Sequence, residues 1–111
     1  MDLQQLYLKL DGRIGRRTYW LKGVVPFFII GVVAALIDYY ADANNILTTI
    51  ASLLLIWPGI AMMVKRWHDR DKSGWWILIQ LIPIVGSIWS FIELGFLKGT
   101  EGANKFGTET F

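Results

Sequence analysis

Cysteine is absent and histidine occurs once, at position 68. The first absence excludes disulfides, thiolate metal sites and cysteine nucleophiles. The second leaves no set of imidazole ligands, and no acidic cluster stands in for one, so neither a metal nor a cofactor is expected. Charge is scarce as well: 18% of the residues are charged, against roughly 25% in soluble domains. The net charge is only +2, too small a basic excess to point to nucleic acid. With 111 residues there is material for one domain.

Hydrophobic residues, at 54%, are abundant, and they are segregated from the charges. Residues 46–64 and 74–92 contain no Asp, Glu, Lys, Arg or His. As helices each reaches roughly 28 Å, close to the hydrocarbon thickness of a bilayer. A third apolar core, 23–37, is flanked by Lys22 and Asp38 at the interface. A cleaved signal peptide ending at "ADA" (41–43) is the rival reading there, and the long charged leader argues against it. These runs predict an all-α membrane protein, one integral domain with three transmembrane helices at about 21–39, 46–64 and 74–97. A hairpin, 65–73, joins the last two, and a tail follows at 98–111. Each span carries one proline, Pro26, Pro58 and Pro83. In the third, Pro83 and Gly86 predict a kink. The alternative is a re-entrant pair of half-helices. Leu3, Leu6, Tyr7 and Leu10 fall at helical spacing and predict a short N-terminal interfacial helix.

Lysine and arginine set the expected orientation. Lys9, Arg13, Arg16, Arg17 and Lys22 precede the first span, none lies between the first two, and Lys65, Arg66, Arg70 and Lys72 follow the second. This places the N-terminus and the hairpin 65–73 in the cytoplasm. Tyr19, Trp20, Trp67, Trp75 and Trp76 would be interfacial anchors on that side, with Tyr39 and Tyr40 at the other.

Three motifs punctuate these spans: "GRIGRRTYW" (12–20), "KRWHDRDKSGWW" (65–76) and "GTEGANKFG" (99–107). In this order they resemble the YhaH-like family of small bacterial inner-membrane proteins, catalogued as a domain of unknown function. The resemblance rests on Gly12, Arg13, Arg16, Tyr19 and Trp20, on Arg66, His68, Asp69, Ser73, Gly74, Trp75 and Trp76, and on Gly99, Gly102, Asn104, Phe106 and Gly107. The family usually has a proline just before the tail glycine, where this chain has Lys98. The resemblance implies a multi-pass protein of the bacterial inner membrane and supplies no activity.

Catalysis is not expected. His68 and Asp69 are adjacent, and neighbours on a helix do not face each other. Arg13, Arg16, Arg17, Arg66, His68, Asp69 and Arg70 gather on the inner side as candidates for binding anionic lipid headgroups or another membrane protein. Arg66, His68 and Asp69 are expected to bond with Arg13 or Arg16. In the third span Gln80, Ser87 and Ser90 belong to one polar stripe suited to helix packing, with Thr48, Thr49 and Ser52 as partners. Gly31 and Ala35 would permit close helix approach. The expected function is non-enzymatic: an accessory or scaffolding membrane protein. The alternative is a small transporter or channel subunit built as a homo-oligomer.

Overall fold

The computed structural model describes residues 2–108 and 111. Helix α1, Leu3–Tyr7, is opened by the Asp2 carboxylate, which accepts from the Gln5 N–H at 2.8 Å. It buries Leu6 with Ile14 and Met62, against Tyr7, Tyr19 and Phe27. Leu3 stays exposed.

Helix α2 runs from Arg16 to Ala41 and α3 from Ile46 to Asp69; both are long and apolar enough to cross a membrane. A π-helical stretch, Tyr19–Val24, precedes Pro26. Proline has no N–H to offer the carbonyl four residues earlier, and the Tyr7 hydroxyl donates to that carbonyl, Lys22 O, at 2.8 Å. The turn between α2 and α3 puts Asp42, Asn44 and Asn45 at positive φ, which Asp and Asn tolerate. Asp38 closes this end: its carboxylate accepts from Leu47 N at 3.0 Å and Thr48 N at 2.8 Å, satisfying orphan donors of α3. Gly31 has nothing within 4 Å of where a Cβ would stand, so the expected close approach does not occur there.

The segment expected as one kinked span, 74–97, is two short helices folded back on each other. A 3-10 helix, Gly74–Leu81, is started by Ser73, whose hydroxyl accepts from Trp75 N at 3.2 Å. Helix α4 follows at Val85–Gly95. Between them Val85 N donates to Pro83 O at 2.6 Å across Ile84, whose φ of 65° and ψ of −63° describe a γ-turn that reverses the chain. Gly86 permits the return, since a Cβ there would stand 1.7 Å from Ile79 O. Trp76 and Trp89 face each other across the hairpin at 6.3 Å. Each arm is about 16 Å long by its helical rise, half the depth a spanning helix needs. The backbone is thus the pair of half-helices of the alternative reading.

The polar stripe required a continuous helix and is broken with it. Gln80 and Ser87 are exposed on separate arms, and only Ser90 is buried, its hydroxyl without a hydrogen bond among the described residues. Gln80 reaches α3 only through a weak contact to Met63 Sδ at 3.9 Å. Ser52 bonds within its own helix, to Thr48 O at 2.8 Å.

Candidate functional site

The fold-back brings the C-terminal tail to the end of the molecule where α2 begins and α3 ends. There Arg13, Arg66 and Asp69 are fully buried. Asp69 is the centre: Oδ1 accepts from Arg13 Nε at 3.1 Å and Nη2 at 2.9 Å, and Oδ2 from Arg66 Nη1 at 2.8 Å. A guanidinium carries five N–H donors in a fixed fork, and Arg13 uses its whole fork. Its remaining bonds go to Thr100 O at 2.6 Å, Gly102 O at 2.7 Å and Gly107 O at 3.2 Å. Gly99 passes so close that a Cβ would lie 1.9 Å from Asp69 Oδ2. Thr100 N also donates to Asp69 O at 2.7 Å.

Two guanidiniums share one carboxylate here, and backbone dipoles offset the surplus positive charge. The last carbonyls of a helix lack internal partners and carry partial negative charge. From the last turn of α4 onward, every carbonyl from Leu94 to Lys98 accepts from a side chain. Arg66 takes Leu94 O at 2.7 Å and also Leu97 O, Trp20 takes Gly95 O at 2.8 Å, Arg16 takes Phe96 O at 2.9 Å, and Arg70 takes Lys98 O. Lys65, also fully buried, does the same for α1: its ammonium donates to Gln5 O and Lys9 O at 2.6 Å each and to Leu6 O. Glu93 completes the arrangement, with Lys72 at 2.6 Å, Arg70 at 3.4 Å and the Trp89 N–H at 2.8 Å. Burial opposes its ionisation, but the Lys72 and Trp89 hydrogen bonds and the Lys72 and Arg70 charges outweigh it and hold the carboxyl below its ordinary range.

His68 bonds in a different direction from Asp69. Its Nδ1 lies 3.0 Å from Gly12 O, which can only accept, so Nδ1 carries the proton. The ring stacks on Phe106 at 4.0 Å, and Asn104 Nδ2 donates to His68 O at 2.9 Å. His68 and Asp69 are thus separately engaged in holding the tail and do not form an acid–base pair.

The aromatic residues divide. Trp75 is exposed, Trp76 lies at the hairpin surface, and Tyr19 and Trp20 are half-buried. Trp67 is fully buried beside Trp76, at 5.8 Å, and so is a packing residue and not a surface anchor.

One arginine takes no part. Arg17 has no side-chain hydrogen bond or ion pair to any described residue, and it lines an open cleft of about 620 Å³ with Arg16, Thr100, Gly102, Lys98 and Glu101, the last two ion-paired with each other. Of the candidate cations, Arg13 and Arg66 are spent on internal bonds, whereas Arg16 and Arg17 face the cleft. Reading the sequence missed Lys98 as a lining residue, the Lys65 cap and the pairing of Glu93, which a straight third span would have carried to the far end. The clustered tail glycines were the available signal, since Gly99 is needed where the tail meets Asp69.

A helical protein with two membrane-length helices and a buried ionic knot at one end is the class defined by this geometry. The chain belongs to the family described as "Protein of unknown function (DUF805)", whose model matches residues 7–108. It is similar to "Inner membrane protein YhaH" of Escherichia coli strain K12, 35% identical over 93% of this chain and 88% of that protein. "Inner membrane protein YhaI" of the same strain is 29% identical over 93% of this chain and 86% of its own. "Uncharacterized protein YiiR" is 28% identical over 99% of this chain and 91% of its own. No solved structure matches the chain.

Proposed function

We propose that this chain is a non-enzymatic accessory protein of the bacterial inner membrane that binds anionic lipid headgroups at the cytoplasmic surface. Helices α2 and α3 cross the bilayer, the hairpin 74–95 enters and returns, and the N-terminus, residues 65–73 and the tail all lie in the cytoplasm. The names of the relatives and the one-sided distribution of cations support this placement. The single observation that carries the binding reading is Arg17: every other arginine donates to protein, while this one lines a cleft with Arg16 and Lys98 and has no partner among the described residues. A guanidinium with no partner among the described residues, beside Arg16 and the Lys98–Glu101 pair, suits a phosphate-bearing head that can draw Lys98 from Glu101.

Retention of anionic lipid by the purified protein tests this. A surface cation contributes about 1 kcal/mol towards anionic lipid, so Arg17→Gln should lower retention roughly fivefold, and Lys98→Gln less. Unchanged retention in both variants would overturn the cleft. Labelling tests the placement separately: a cysteine at Asn44 should react from outside, and cysteines at Lys72 and Lys105 only from inside.

A further inference from the structure

A second groove of about 500 Å³ opens between α3 and the 3-10 helix, on residues the anionic cleft does not use. Ile60, Val64, Ile77 and Trp75 form its apolar walls, and Asp11 and His68 give it a polar end. His68 and Ile60 are two turns apart on α3, so the groove runs about 12 Å along the helix. In the placement proposed above, it descends from the headgroup level into the hydrocarbon.

Its polar end has the opposite chemistry to the cleft. Asp11 is exposed, has no ion pair among the described residues, and acts electrostatically on His68. The nearby Lys65 ammonium is already committed to the Gln5, Leu6 and Lys9 carbonyls. Because Nδ1 of His68 donates to Gly12 O, the neutral ring's other nitrogen, Nε2, is an acceptor. No hydrogen bond to it occurs among the described residues. A carboxylate and an imidazole acceptor above an apolar trough call for a cation that can donate N–H bonds and carries a hydrocarbon chain.

We infer that this groove binds a membrane lipid with a primary-ammonium head, of the phosphoethanolamine kind, through Asp11 and His68, with one acyl chain lying along Ile60 and Ile77. A primary ammonium offers three N–H donors, whereas a trimethylammonium head has the same charge and none. Charge alone would accept both heads. Hydrogen bonding selects the first. The inference rests on the membrane placement proposed above but not on the anionic cleft.

The test uses the full chain in nanodiscs with equal amounts of ethanolamine and choline lipids of identical acyl chains. Native mass spectrometry then reads which lipid stays bound. Wild type should keep the ethanolamine lipid about tenfold over the choline lipid, the scale of one charge-assisted hydrogen bond. Successive N-methylation of the head should lower retention stepwise. Asp11→Ala, which removes the acceptor, should bring the ratio close to one with the melting temperature unchanged, and Ile60→Trp should expel both lipids. A wild-type ratio near one overturns the proposal without reference to any variant, as does an Asp11→Ala protein that keeps its preference. Arg17→Gln separates the two sites: in nanodiscs that also carry an anionic lipid, anionic retention should fall while amine preference stays. If amine preference holds but Arg17→Gln changes nothing, only the cleft reading fails.

Discussion

The knot around Asp69 and the shaft of α2 and α3 are built on opposite plans. In the knot, two arginines, a lysine and two carboxylates are withdrawn from the surface, and their hydrogen bonds close on one another and on backbone carbonyls. In the shaft, only 11% of each apolar window is buried, and residues such as Phe28, Leu53 and Leu54 face outward. The shaft lets lipid supply the surroundings that a soluble protein takes from its own core. The knot must be complete by itself, because a buried charge has no solvent to fall back on. Stability should therefore be concentrated at one end, and substitutions there should cost far more than truncations of equal size elsewhere.

The strongest challenge to this contrast is removal of one partner from the buried triad. Arg13→Ala or Asp69→Ala leaves uncompensated charge, and each should destabilise by about 3–5 kcal/mol, read from thermal unfolding in detergent. Arg66→Lys and Asp69→Asn should each cost less and should couple non-additively, since lysine lacks the planar fork. Losses within 0.5 kcal/mol for both alanine variants would mean the knot holds nothing together.

A smaller effect is expected at the hairpin. Gly86→Ala forces a methyl into Ile79 O, and overpacking of this kind costs about 1–3 kcal/mol. The variant should also loosen the hairpin, raising hydrogen exchange over 74–95 while leaving α2 and α3 protected.

Smaller again is the pH dependence of Glu93. Its carboxyl is held below the ordinary range, so its stabilising contribution is fully present above that range and is lost as pH falls through the lowered value. Glu93→Gln should flatten the acid limb of the stability profile and leave the neutral plateau lower. An acid limb unchanged by the substitution would assign the pH dependence to another group.

The smallest effect belongs to the shaft. Phe28→Ala removes as many heavy atoms as Arg13→Ala, and Leu53→Ala as many as Asp69→Ala, yet each should stay within about 0.5 kcal/mol. A loss of several kcal/mol at either would show that protein, not lipid, covers that face.

Legibility in the sequence followed the same division. The uncharged runs displayed α2 and α3, because an apolar helix of that length writes itself as an unbroken hydrophobic stretch. Residue types and shared side led to Arg66, His68 and Asp69 being expected to bond with Arg13 or Arg16; Arg66 and Asp69 do join Arg13, but His68 bonds Gly12 O instead. The identity of the free cation was not anticipated: Arg13, Arg16 and Arg17 look alike as letters, and only the folded tail shows that Arg13 is fully bonded while Arg17 has no partner among the described residues. The third segment misled because 74–92 has the length and composition of a span. Composition measures how apolar a segment is and carries no information on whether its backbone reverses.

By itself, then, the sequence determined the helical class, the two long apolar helices and the gathering of cations at one end, since these depend on local composition and spacing. Tertiary structure decided the fold-back at Ile84, the burial of Trp67, the return of Glu93 to Lys72 and Arg70, and the division of the arginines between bonded and free. Each of those outcomes depends on which carbonyls and carboxylates from distant parts of the chain reach a given side chain. A one-dimensional pattern does not encode that reach, because hydrogen bonds are satisfied in space and not along the chain.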